Sequence, residues 1–174
     1  VLNKENLWKI LKYRHSPNQL SVHNSKARFR VNVQGRRSGK SYGAAKEILP
    51  YILTPNTRCW IVGPTLDLAD KIMREVKMDI LAKLRLPIAT KKEVNGQLYY
   101  IKLAGLNSEV WVKSADRPES CVGEGVDVLV LEEAAKIRKI VWEQYLRPTL
   151  ADRQGWALFT TTPEGYNWIY DLWQ

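Results

Sequence analysis

Phe29-Arg30-Val31-Asn32-Val33-Gln34-Gly35-Arg36-Arg37-Ser38-Gly39-Lys40-Ser41-Tyr42 decides how the rest of the chain is read. Phe29 to Val33 has the length and β-branched content of a buried strand, and Tyr42 to Leu49 continues as an apolar helical pattern. Between them lies a basic, glycine-containing loop, so the order is strand, loop, helix. A triphosphate needs many donors and little steric bulk. Successive backbone N–H groups, a helix N-terminus and a lysine ammonium supply this, and a following hydroxyl can reach Mg²⁺. Lys40 and Ser41 stand where that chemistry places them. The general pattern would put a glycine at position 34; here Gln34 occupies it and Gly35 follows. Arg36 and Arg37 add guanidinium forks suited to phosphate oxygens.

Outward from this loop, short apolar runs alternate with helical patterns. Cys59 to Val62, Val110 to Val112, Val126 to Leu131 and Ala157 to Thr161 read as strands buried on both faces. Leu66 to Leu84 carries apolar residues at the helical period, started by Pro64-Thr65 and stopped by Pro87. A helix from Lys40 is expected to end or kink at Pro50, and another occupies roughly Val141 to Leu150. Gln97 to Leu103 and Glu109 to Lys113 read as antiparallel strands. This alternation predicts an α/β fold with a mainly parallel central sheet flanked by helices, its ligands beyond the carboxyl ends of the strands.

Two of those strand ends are chemically loaded. Val126 to Leu131 leads into Glu132-Glu133. In nucleotide hydrolysis, one acid holds the metal and a second deprotonates the attacking water. Adjacent strand residues point opposite ways, so the pair can divide those tasks. Asp127, at the other end of the strand, is no substitute. Ala157 to Thr161 likewise ends in Thr160-Thr161-Thr162, hydroxyls able to sense a γ-phosphate.

Composition narrows the classes. At 45% hydrophobic and 26% charged, the chain has the make-up of one globular domain, which excludes disordered and collagen-like readings. Cys59 and Cys121 imply neither a disulfide framework nor a zinc site. No apolar run is long enough to span a membrane, and no secretory leader is evident. The start at Val1 and the aromatic, apolar-periodic stretch Tyr166 to Gln174, expected to pack against the core, suggest a piece of a longer chain. The +9 charge is local: the first fifty residues hold eleven basic and two acidic side chains. With Arg36, Arg37 and Lys40 turned to phosphates, the excess left for DNA or a neighbouring subunit is Lys9, Lys12, Arg14, Lys26, Arg28 and Arg30.

Taken together, the chain resembles the ATPase domain of the large terminase subunit of tailed bacteriophages. The resemblance rests on Gln19 with His23, Ser25 and Arg28-Phe29-Arg30, on Gly35 to Ser41 and on Val62-Gly63-Pro64-Thr65. Glu132-Glu133-Ala134-Ala135 and Thr160-Thr161-Thr162-Pro163-Glu164-Gly165 with Asn167-Trp168 complete it. The shifted glycine and arginine-rich loop match that family. The resemblance implies a P-loop NTPase of the additional-strand, catalytic-glutamate type, residues 1–174 forming one domain with a basic helical segment to about residue 28 and the core after it. It implies ATP and Mg²⁺ as cofactors. Gln34 to Tyr42 would contact nucleotide, Gln19 would read adenine, and Arg36 or Arg37 would meet the γ-phosphate. Ser41 and Glu132 would hold the metal, and Glu133 would be the catalytic base. Thr160 to Thr162 would couple hydrolysis to motion. Arg117 would be an arginine finger entering a neighbour's site, or else a surface arginine paired with Asp116 or Glu119. At Glu132 the chain departs from the family's aspartate. Expected partners are double-stranded DNA, a homo-oligomeric ring, the portal protein and the small terminase subunit, without a membrane, in the cytoplasm of an infected bacterium. The family's C-terminal nuclease is not expected within these residues. A helicase-like translocase and a non-hydrolysing nucleotide-dependent DNA-binding module remain the alternatives.

Overall fold

The computed structural model describes residues 3–173, so Val1, Leu2 and Gln174, the outer ends of the basic segment and the aromatic stretch, lie outside the described residues. Seven strands, β1 (Phe29–Val33), β2 (Arg58–Gly63), β3 (Ile88–Val94), β4 (Gln97–Leu103), β5 (Glu109–Ser114), β6 (Val128–Glu132) and β7 (Trp156–Thr161), form one sheet. Their order is β1-β7-β6-β2-β5-β4-β3. From β1 across to β5 the neighbours are parallel, and β4 and β3 continue antiparallel. β7 stands between β1 and β6, as an added strand separating the loop-bearing strand from the acid-bearing one.

The period of two along each parallel strand sorts side chains into two cores. Cys59 and Ile61 join α1 (Lys4–Ile10), α3 (Lys40–Ile52) and α4 (Leu66–Lys77) through Leu7, Ile48 and Ile72. Trp60 and Val62 face the opposite layer. That layer comprises α5 (Lys139–Val141), a π-helical turn (Trp142–Leu146) and α6 (Arg147–Thr149), with Trp142 and Leu146 packed on Leu129 and Phe159. Each large apolar side chain buried this way contributes about 1.5–3 kcal/mol. α2 (Pro17–Asn24) lies over α3, and α7 (Trp168–Trp173) closes the described chain.

Several elements differ from the sequence reading, each for a local reason. α3 passes through Pro50 to Ile52. Pro50 falls in its last turns, where its carbonyl accepts a hydrogen bond from Thr54 Oγ1 at 2.9 Å. The helix after β2 widens into a π-helical turn at Met78–Lys83. That turn places wholly buried Asp79 against Lys46 and, at 2.8 Å, Lys83. It leaves Leu81 37% exposed although the simple helical period assigns it to the core. β3 has almost no apolar pattern, since it is an edge strand exposed from Ala89 to Val94. It is held by a hairpin whose turn residues Asn95 and Gly96 have φ of 50° and 79°. Within the aromatic stretch, Ile169 is buried and Trp168 Nε1 donates to Ile137 O at 2.8 Å, while Tyr166 is 89% exposed. Cys59 and Cys121 are free and buried.

The basic N-terminal excess is smaller than the sequence suggests, and Arg28 and Arg30 must be removed from the free set. Arg28 donates to Gly155 O (2.9 Å) and Leu150 O (3.0 Å). Arg30 donates to Glu47 Oε1 at 2.6 Å and lies over the Trp156 ring. Both tie β1 to its surroundings. Lys9, Lys12, Arg14 and Lys26 remain exposed.

Candidate nucleotide site

The site forms where β1, β6 and β7 end together. Gln34 N–H donates to Thr161 O at 3.1 Å, which extends the β1–β7 pairing one residue into the loop and fixes where the loop begins. Arg37 adopts φ 60°, and Gly39, at φ 83°, starts α3. A side chain at Gly39 would be strained, and its Cβ would lie 2.9 Å from Gln19 Nε2. Lys40 is buried and its ammonium donates to Gln34 O (3.0 Å) and Gly35 O (2.9 Å), folding back over the loop.

A cleft of about 510 Å³ opens from this loop. Arg36, Arg37, Ser38, Gly39, Lys40, Ser41 and Tyr42 form one wall; Glu132, Glu133 and Thr162 form the other. The buried Ser38 Oγ has no partner among the described residues, so the loop holds an unsatisfied polar atom where a phosphate would sit.

The two acids converge on one side, contrary to the expectation that adjacent strand residues diverge. Glu132 is the last residue of β6, but Glu133 turns into the left-handed region at φ 49°, ψ 47°. Both carboxylates therefore line the cleft. The threonines keep the strand period and divide between them. Thr160 Oγ1 donates to Glu132, Thr162 Oγ1 donates to Glu133 at 3.3 Å, and Thr161, on the opposite face, accepts from Ala135 N–H at 3.2 Å. Ser41 Oγ donates to the second Glu132 oxygen.

Glu132 is 2% exposed and, among the described residues, bonded only to hydroxyls. Burial pushes its carboxyl above the ordinary value and the Glu133 charge adds to this, more than the hydrogen bonds from Ser41 and Thr160 and the charge of Lys71 take away. Among the described residues no group of three or more His, Cys, Asp and Glu gathers that could hold a metal by itself. One carboxylate beside one hydroxyl instead suits a hard cation that takes its other ligands from water and phosphate. The donor set fits Mg²⁺.

Three lining residues had no signal in the sequence. Leu68 and Lys71 come from α4 and Lys136 from the turn after Glu133. The helical period of α4 marked only its core face; nothing local showed that its first exposed turns border the cleft. Six predicted residues lie outside this lining: Gln34 and Gly35 at the start of the loop, Thr160 and Thr161 at the end of β7, and Gln19 and Arg117. Gln19 is buried beneath the loop, its Oε1 accepting from Ser16 N–H (2.8 Å) and its Nε2 donating to Gly39 O (3.0 Å). Arg117 follows β5 at the same edge of the sheet, with its side chain exposed. Among the described residues it pairs with neither Asp116 nor Glu119. Asp127, at the far end of β6, accepts from Arg58 N–H (2.8 Å) and Arg153 (2.9 Å).

A phosphate-type loop between a parallel strand and a helix, facing acids on a strand beyond an added one, defines a P-loop NTPase fold. Residues 32–174 match the family described as terminase large subunit, T4likevirus-type, N-terminal. The chain belongs to the terminase large subunit family. It is 34% identical over 186 residues to the terminase large subunit of Thermus virus P23-45, covering 97% of this chain and 38% of that protein. To the Escherichia phage T5 large subunit it is 31% identical over 147 residues, covering 83% of this chain and 32% of the other. The chain thus spans well under half the length of these relatives. The solved ATPase domain of the Thermus phage P74-26 large terminase superposes with a TM-score of 0.81 at 33% identity, covering 96% of this chain and 72% of that one. The solved large terminase of another thermophilic bacteriophage shares the fold at a TM-score of 0.71 and 14% identity, over 92% of this chain and 42% of that one.

Proposed function

We propose that this chain is an ATP-hydrolysing motor domain that powers translocation of double-stranded DNA into a viral capsid. The observation that carries the reading is the cleft in which the Lys40 loop faces two converging carboxylates, each tied to a threonine at the end of β7. ATP is the substrate. Gly35 to Ser41 receive its phosphates, Lys40 exchanging the carbonyls of Gln34 and Gly35 for phosphate oxygens, with Arg36 or Arg37 on the γ-phosphate. Ser41 and Glu132 hold Mg²⁺, which when bound neutralises charge on the phosphates. Glu133 accepts the proton of the water that attacks the γ-phosphorus, ADP being the leaving group. Thr162, bonded to that base, and Thr160, bonded to the metal-side acid, sense the γ-phosphate and pass its loss along the segment after β7. Gln19 reads the adenine from below the loop.

Arg117, exposed at the same sheet edge and without an ion pair among the described residues, acts on the site of the next subunit in a homo-oligomeric ring. Double-stranded DNA, the portal protein and the small terminase subunit are the partners, in the cytoplasm of the infected host. Among the described residues no helix is long and apolar enough to cross a membrane.

Steady-state ATP hydrolysis with Mg²⁺ tests this. Glu133→Gln is expected to lower turnover by about 10²–10⁴-fold with ATP affinity nearly unchanged. Arg117→Ala is expected to lower it only where subunits assemble; equal loss in a strictly monomeric sample would remove the role in trans. A folded wild-type chain that binds ATP yet never turns over would leave the non-hydrolysing DNA-binding module in place of the motor.

A further inference from the structure

α2 and α3 face each other as a ladder of two rungs. Gln19 and His23 are four residues apart on α2; Gly43 and Glu47 are four apart on α3, so each pair lies on one helix face. The first rung is Gln19, which donates to Gly39 O at 3.0 Å. A Cβ at Gly43 would come within 3.0 Å of Gln19 Cγ. The second rung is the 2.7 Å contact between His23 Nδ1 and Glu47 Oε2, with both side chains almost wholly buried. On its other side the His23 ring meets the Tyr13 hydroxyl at 2.9 Å. The Glu47 carboxylate can only accept, so Nδ1–H donates to it. Glu47 is in turn anchored by Lys4 and Arg30, both at 2.6 Å from Oε1.

The consequence is a matter of register. Gln19 Oε1 is held within its own helix by Ser16 N–H in a capping box, so the amide moves with α2 rather than swinging freely. α2 is only eight residues long. Its two apolar side chains, Leu20 and Val22, are both half-buried and stand two positions apart, on opposite sides of the helix. They form no stripe that would fix its rotation. Arg30 and Lys4 tie its carbonyls, Arg30 Nη1 donating to Val22 O and Lys4 Nζ to His23 O, both at 3.2 Å, and both of these cations also bond Glu47. The direct side-chain contact that sets its height and rotation on α3 is the second rung. We propose that His23 and Glu47 are a positioning pair that holds Gln19 at the phosphate loop and thereby sets which nucleobase the site accepts. This rests on the reading of Gln19 as the adenine contact.

The test is the affinity of the chain for ATP and for GTP by calorimetry, with the thermal midpoint measured on each variant. Gln19→Ala is expected to erase the preference for ATP, which verifies the base contact. His23→Ala is expected to reduce that preference by roughly tenfold, the worth of about one hydrogen bond, through ATP affinity alone. His23→Asn, whose side-chain N–H can replace Nδ1–H toward Glu47, is expected to restore it. A double Gln19→Ala, His23→Ala variant should be no worse than Gln19→Ala alone. If Gln19→Ala changes the preference and His23→Ala leaves it intact, or if His23→Asn fails to rescue at an unchanged midpoint, the positioning role is overturned. A preference untouched by Gln19→Ala overturns the base contact and the pair's role with it.

Discussion

Glu47 and Glu132 are both carboxylates removed from water, at 0% and 2% exposure, and their surroundings are opposite. Lys4, Arg30 and His23 converge on Glu47. Burial alone would raise its pKa, but the hydrogen bond from His23 and the charges of Arg30 and Lys4 hold it below the ordinary value. Glu132 has hydrogen bonds from Ser41 and Thr160 and a weaker pull from the charge of Lys71, and burial with the neighbouring charge of Glu133 raises its pKa above the ordinary value. A buried acid with its cations built into the chain is part of the fold. A buried acid bonded to hydroxyls and facing another acid suits the cation that, in the proposed function, would arrive with the substrate. α3 connects the two, with Ser41 at its start on Glu132 and Glu47 two turns later.

The largest effect that can break this comparison is on catalysis. Glu132→Gln keeps an oxygen for one hydroxyl and a similar volume, so the fold should hold its thermal midpoint or gain slightly. Mg²⁺-dependent hydrolysis should fall by at least about 10²-fold, as expected when charge stabilisation at a transferring phosphate is lost. A drop in midpoint comparable to that of a Glu47 variant, with turnover retained, would make Glu132 structural.

Next is Glu47→Gln, which leaves Arg30 and Lys4 facing a neutral amide. It should destabilise the fold by about 3 kcal/mol, the low end for breaking a buried pair because Lys4 is partly exposed. Its pH dependence has a definite sign. A carboxyl whose folded pKa lies below its unfolded value of about 4.5 contributes fully above that value, and the contribution is lost as the pH falls through the folded value. The gap in stability between wild type and Glu47→Gln should therefore be constant near neutrality and narrow below about pH 4.5 in urea unfolding series. A gap independent of pH would mean that Glu47 acts through packing rather than charge.

The same contrast separates what could be read in the sequence from what could not. The loop, the Lys40-Ser41 pair and the acids at the end of β6 were legible because the pattern is local: residues adjacent in sequence line one cleft. The positive φ of Glu133 reversed the direction inferred from strand alternation, since no turn signal marks that residue. The Glu47 network was invisible, as Lys4, His23 and Arg30 lie 17 to 43 residues away, and Arg30 therefore looked like a free charge. β3 escaped because an exposed edge strand, its lysines facing water, carries little hydrophobic pattern. Lys71 escaped because the order of strands, not the pattern of α4, decides which helix borders the cleft.

The smallest expected effect bears on the span of α3 between the two acids. Gly43 lies inside that helix, where alanine is favoured by about 1 kcal/mol. In Gly43→Ala the new Cβ would sit 3.0 Å from Gln19 Cγ and 3.3 Å from its Nε2, so the Gln19 side chain must yield by a few tenths of an ångström. Loss of its bond to Gly39 O then offsets the helical gain, and the net stability change should be within about 0.5 kcal/mol of zero. Gly43 and Glu47 share one face of α3, but the new Cβ meets Gln19 and not Glu47, so the displacement should reach the nucleotide and leave the buried ion network intact. ATP affinity falls while the acid-dependent part of stability stays as in wild type. A full gain of about 1 kcal/mol with unchanged affinity would show that Gln19 has room to move, and would detach the Glu47 end of α3 from the chemistry at Glu132.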